Sequence, residues 1–81
     1  MMEFSNEARV AILVRFVGLG ALPGQCRNHV AFFDLVATYG DSYRQALAQL
    51  IDDGCIDDVA RLRFLRLTEA GYREAIEVAE M

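Results

Sequence analysis

The chain contains one imidazole, His29, and two thiols, Cys26 and Cys55. Cys26 and His29 are spaced as Cys-x-x-His, which is half of a zinc-binding pattern. A structural zinc site takes four ligands. No second pair exists, so Cys55 and an aspartate would have to complete the set. The expectation is a structural histidine and no metal. Nucleophile elbow, phosphate-cradling loop and paired-carboxylate cleft are likewise absent from the sequence. These absences predict a protein that is not an enzyme and needs no cofactor. The remaining polar chemistry lies in arginine. All eight basic residues are arginine, set against twelve acidic ones, for a net charge of −4. Bulk coating of nucleic acid is disfavoured by that balance, and any DNA contact needs a local basic patch or a dimer.

The elements that must position these groups belong to one small domain, residues 1–81. Hydrophobic residues make up 54% of the chain, above the roughly 45–50% of ordinary soluble domains, which excludes disorder. Two cysteines do not make a disulfide framework. No signal peptide is visible, and the apolar run Val10 to Val17 is interrupted by Arg15 and too short to cross a bilayer. A cytoplasmic protein with reduced thiols and no membrane contact is expected.

Four helices and a short hairpin fit the periodicity. Helix 1 runs from about Ser5 to Val17, with Ser5 or Asn6 as its cap. It is apolar almost all round, so it must be central or lie in a dimer interface. The glycine-rich stretch Gly18 to Gly24 ends it. Helix 2 covers Gln25 or Asn28 to Thr38, with Val30, Phe33 and Val36 or Ala37 as its apolar stripe. Phe32, Phe33 and Tyr39 are expected to be core, with exposure as the alternative. Asp41 or Ser42 caps helix 3, Ser42 to Asp53, which buries Tyr43, Ala46, Leu47, Leu50 and Ile51. After Gly54 the period shortens. Cys55 to Val59 and Leu62 to Leu67 read as two strands. Thr68 caps helix 4, Glu69 to about Glu80, with Tyr72, Ala75, Ile76 and Ala79 on its buried face.

Two motifs carry a resemblance. Tyr43-Arg44-Gln45-Ala46-Leu47-Ala48-Gln49-Leu50-Ile51-Asp52-Asp53-Gly54-Cys55-Ile56 resembles the recognition helix and first wing strand of winged helix-turn-helix regulators. Leu67-Thr68-Glu69-Ala70-Gly71 resembles the L-T-x-x-G by which MarR-like and related regulators leave the wing. The resemblance, to small bacterial or phage transcription regulators of MarR-like or GntR-like type, covers residues 43–72. It implies a mainly α fold with a short β-hairpin, a three-helix core and a C-terminal helix. It further implies that helix 3 enters the major groove of double-stranded DNA, with Ser42, Arg44, Gln45 and Gln49 at base edges. Arginine can fork to guanine and glutamine to adenine. Arg61, Arg63 and Arg66 in the hairpin would hold phosphates.

Charge opposes part of this reading. Asp41, Asp52, Asp53, Asp57 and Asp58 lie near the same surface and reduce the counterion-release term. A homodimer through helix 1 or helix 4, reading spaced half-sites, is therefore expected. The alternative is an acidic protein-binding module on the same fold, such as a phage-type inhibitor of a host complex, since fold does not fix function.

Overall fold

A computed structural model of the protein describes residues 5–80. Among the described residues four α-helices accompany a small antiparallel sheet, in the order α1 (Ser5–Gly18), β1 (Cys26–Asn28), a 3-10 turn (His29–Phe32), α2 (Phe33–Tyr39), α3 (Asp41–Asp52), β2 (Ile56–Val59), β3 (Phe64–Leu67) and α4 (Glu69–Ala79).

The near-uniform apolarity of α1 is explained by its position. It packs against α2, α3 and α4, and buries Ala8, Ile12, Leu13 and Phe16. Val14 is its one large apolar residue counted as exposed. Ser5 and Asn6, the expected caps, are the first two described residues and both lie within α1.

The expected hairpin is two-thirds of a sheet. Its strand order is β1-β3-β2. Central β3 pairs with β1 through Cys26↔Arg66, Arg27↔Leu65 and Asn28↔Phe64, and with β2 from Ile56↔Leu67 to Val59↔Phe64. Leu65 and Leu67 point into the core while Phe64 and Arg66 face out, the period-2 pattern of a half-buried strand. Leu62 and Arg63, expected in this strand, lie in the turn before it.

The β1 strand displaces the start of helix 2. Residues expected to open that helix instead form β1 and a 3-10 turn, and α2 begins only at Phe33. The buried face shifts accordingly. Phe32 and Leu35 enter the core, while Val30 and Phe33 are 62% and 53% exposed. Tyr39 is half-buried.

A single residue, Gly40, separates α2 from α3. Its φ of +57° lies in the region that costs side-chain-bearing residues most. Neither Asp41 nor Ser42 caps α3, which has no side-chain cap; the Gly40 carbonyl accepts from the Tyr43 amide at 3.0 Å instead. The α3 face made of Tyr43, Ala46, Leu47 and Leu50 is buried as its spacing predicts.

The Leu67-to-Gly71 motif has a local physical basis. Thr68 Oγ1 accepts from the Gly71 amide at 3.0 Å and donates to the Gly54 carbonyl at 2.7 Å. This caps α4 and ties it to the α3–β2 junction. A Cβ on Gly71 would collide with the Cys55 carbonyl, so glycine allows the helix to approach that backbone. Of the face expected on α4, Ala75 is buried and Tyr72 and Ile76 are half-buried; Ala79 is exposed, in the last turn of the helix.

Candidate functional site

The outer face of α3 carries Arg44, Gln45, Ala48, Gln49 and Asp52, all exposed. Their spacing places them on one side of the helix. Ser42 is half-buried at the first turn. Arg44 is almost free, with its guanidinium 4.0 Å from Asp41 and both side chains more than four-fifths exposed. A pair of this kind contributes little and is easily exchanged for another anion.

The three hairpin arginines divide into two kinds. Arg66 faces Asp57 directly across the β2–β3 pair, at 3.2 Å. Arg61 and Arg63 sit in the turn, exposed, and make no ion pair among the described residues. Their backbone is unusual. Ala60, Arg61 and Leu62 have φ of +53°, +56° and +68° in succession, a conformation that costs roughly 1–2 kcal/mol for each residue with a side chain. Three hydrogen bonds offset the strain. Asp58 Oδ1 accepts from the Leu62 amide at 2.6 Å. The Arg63 amide donates to the Ala60 carbonyl at 3.2 Å, and the His29 amide donates to the Arg63 carbonyl at 2.9 Å.

His29 joins this turn to α3. Its Nδ1 lies 2.8 Å from the Leu62 carbonyl and its Nε2 lies 2.7 Å from the Tyr43 hydroxyl. A carbonyl only accepts, so Nδ1 carries a proton, and in the neutral ring Nε2 accepts from Tyr43. The rings of His29 and Tyr43 also stack, with centroids 5.8 Å apart. The turn bearing Arg61 and Arg63 is thus held one imidazole away from a side chain of the first turn of α3. Burial pushes the Tyr43 phenol up to about 12, so it remains a donor across the neutral range. Both nitrogens of His29 are engaged within the protein, and Cys26 is exposed. Among the described residues no three metal-ligating side chains cluster.

Other charges, which sequence spacing did not pair, are structural. Arg9 makes a bidentate contact with Glu74 at 2.7 and 2.8 Å and reaches Asp53 at 2.8 Å, joining α1 to α4 and to the end of α3. The guanidinium holds the Glu74 carboxyl below its ordinary range. Burial raises the neighbouring Cys55 thiol. Arg15 forks onto Asp34 at 2.7 Å and donates to the Ala31 carbonyl at 2.6 Å, fixing α1 to the start of α2. The same fork lowers the Asp34 carboxyl. Arg27 turns to the carbonyls of Cys26 and Leu19.

Sequence reasoning also missed a groove beside the hairpin turn. Val30, Phe33, Leu62 and Phe64 line it together with His29 and Arg63, around a volume of about 330 Å³. A signal lay in Leu62 and Phe64, which alternation sets on the face opposite Leu65 and Leu67, whereas Val30 and Phe33 follow helical spacing and gave none.

Comparison with protein-family models, with curated proteins and with solved structures finds no match to this chain. No helix of the described residues is long and apolar enough to cross a membrane.

Proposed function

We propose that this chain is a winged helix-turn-helix domain that binds double-stranded DNA as a small homodimeric transcription regulator. One observation carries the reading. Arg44, Gln45 and Gln49 are exposed on one face of α3, and the adjoining hairpin turn presents Arg61 and Arg63 with no carboxylate partner among the described residues. The α2–Gly40–α3 unit serves as the helix-turn-helix, and the β2–β3 hairpin, braced by β1 and His29, serves as the wing.

On this reading α3 lies in the major groove, where Arg44 can fork to guanine and the glutamines can pair with adenine. Arg61 and Arg63 contact phosphates and set the register. Asp41 and Asp52 share the exposed side of α3, so each protomer binds weakly and two half-sites are needed. With α1 enclosed by the other helices, the dimer contact falls to α4, where Tyr72 and Ile76 border a shallow apolar surface.

The test is fluorescence anisotropy against a random duplex library at low and near-physiological salt. Saturable binding that enriches a two-fold symmetric motif is expected. Arg44→Ala should cost about 1–3 kcal/mol and relax base preference at its position. No binding at low salt would overturn the proposal.

A further inference from the structure

Seven large apolar side chains are exposed among the described residues, and Val30, Phe33, Leu62 and Phe64 are four of them. All four meet in the groove beside the hairpin turn. Scattered apolar residues on a surface are ordinary, but a contiguous cluster marks an interaction site. The groove is also built at a cost. Leu62 is a bulky residue held at φ +68° where glycine or asparagine would fit with less strain. Strain of this kind concentrates at functional sites. The walls are fixed in advance, because His29 bonds the Leu62 carbonyl and meets Phe33 edge-on at 5.4 Å.

Charge identifies the occupant. Arg63 lines the groove and Arg61 stands two residues before it, both without an ion pair among the described residues. Of the nearby acids, Asp34 is neutralised by its ion pair with Arg15, while Asp58 turns onto the Leu62 amide and keeps its charge. Arg61 and Arg63 against that one carboxylate still leave the rim net positive, in a chain whose net charge is −4. A small polar metabolite would find few fixed partners, since both nitrogens of His29 are already engaged. We infer that this groove docks a protein segment presenting two neighbouring large apolar side chains flanked by Asp or Glu. The apolar pair fills the space between Val30, Phe33, Leu62 and Phe64, and a carboxylate meets the guanidinium fork of Arg63.

This inference does not rest on the DNA reading, because docking is measured without DNA. If the wing also binds phosphates, the segment and the duplex compete for Arg61 and Arg63.

The experiment is selection of a phage-displayed random-peptide library on the full chain, followed by anisotropy with the leading synthetic peptide. Enriched peptides should combine adjacent large apolar residues with acidic ones. Phe33→Ser should weaken the leading peptide roughly tenfold or more, while Val14→Ser, at an exposed apolar residue elsewhere, should not. Arg63→Glu should weaken it too, and a peptide with Lys in place of its Glu should recover binding to that variant. Circular dichroism melts establish that the variants fold; if Phe33→Ser does not, Arg63→Glu with its Lys peptide carries the test alone. Failure to enrich, enrichment of neutral or basic peptides, or indifference to both groove substitutions would overturn the inference. So would a dimer in sedimentation equilibrium that Phe33→Ser or Arg63→Glu dissociates, because the groove would then be filled by a second copy.

Discussion

The Tyr43 hydroxyl donates to His29 Nε2 at 2.7 Å while the two rings stack. Tyr43 belongs to the buried face of α3, and His29 follows directly on β1. The bond therefore couples helix and hairpin through the residue that also holds the Leu62 carbonyl.

Tyr43→Phe should leave His29 Nε2 without its donor and lower stability by about 0.5–1.5 kcal/mol near neutral pH. The alkaline limb supplies a second signature. Burial raises the phenol from an ordinary 10.0 to about 12, so above pH 10 the native state holds a proton that the unfolded chain has released. Stability present below the unfolded value is then lost as pH rises toward the folded one, by as much as roughly 1.4 kcal/mol per pH unit. Urea unfolding of the Phe variant across this range should lack that decline. Equal slopes would refute the assignment.

Gly71→Ala tests why α4 begins where it does. The added methyl meets the Cys55 carbonyl, which is backbone and cannot rotate away. Overpacking of this kind costs about 1–3 kcal/mol. The substitution would be nearly neutral or stabilising in an ordinary helix interior, so a raised melting temperature would contradict the close approach.

Much of this arrangement is legible in the residues. Tyr43 to Leu50 repeats with a helical period, and α3 falls within one residue of its expected bounds. Thr68 is recognisable as a cap because a short hydroxyl precedes an acidic first turn. β1 is not legible. Three residues, Cys26 to Asn28, are too few to display alternation, and they form a strand only because β3 offers a free edge. The same strand shifts the α2 stripe, since Val30 and Phe33 share a helical spacing with Phe32 and Leu35 offset beside them. Arg9 and Glu74 are 65 positions apart, and no local pattern pairs residues at that separation. The exposed polar residues of α3 could be named from sequence, whereas the neutralisation of Arg66 by Asp57 depends on strand register.

Arg9 and Glu74 give an acid-side prediction. The guanidinium, through its hydrogen bonds, lowers the Glu74 carboxyl from its ordinary 4.5. The stabilisation is complete above that ordinary value and is lost as pH falls through the folded one. Glu74→Gln keeps the side-chain shape but removes the charge. It should be less stable than the parent near neutral pH, and the gap should close as the pH falls below the ordinary 4.5 and through the lowered folded value. Denaturant midpoints measured at stepped pH follow this directly, and a constant gap would mean that the carboxylate charge contributes nothing.

The hairpin arginines yield the sharpest contrast for the DNA reading. Arg61 and Arg63 have no carboxylate to leave, whereas a phosphate must displace Asp57 before Arg66 can contribute fully. Removing one phosphate-contacting charge reduces the salt dependence of binding by a slope of about 1 and weakens all sequences alike. Arg61→Ala and Arg63→Ala should each show that reduction without changing the preferred motif, and Arg66→Ala should show a smaller one. Asp57→Asn then releases Arg66, so it should strengthen binding and steepen the salt dependence, and adding Arg66→Ala should abolish that gain. Anisotropy titrations over a salt series measure every slope. If Arg66→Ala matched the turn variants and Asp57→Asn changed nothing, the Asp57 pair would not govern which arginines meet the phosphates.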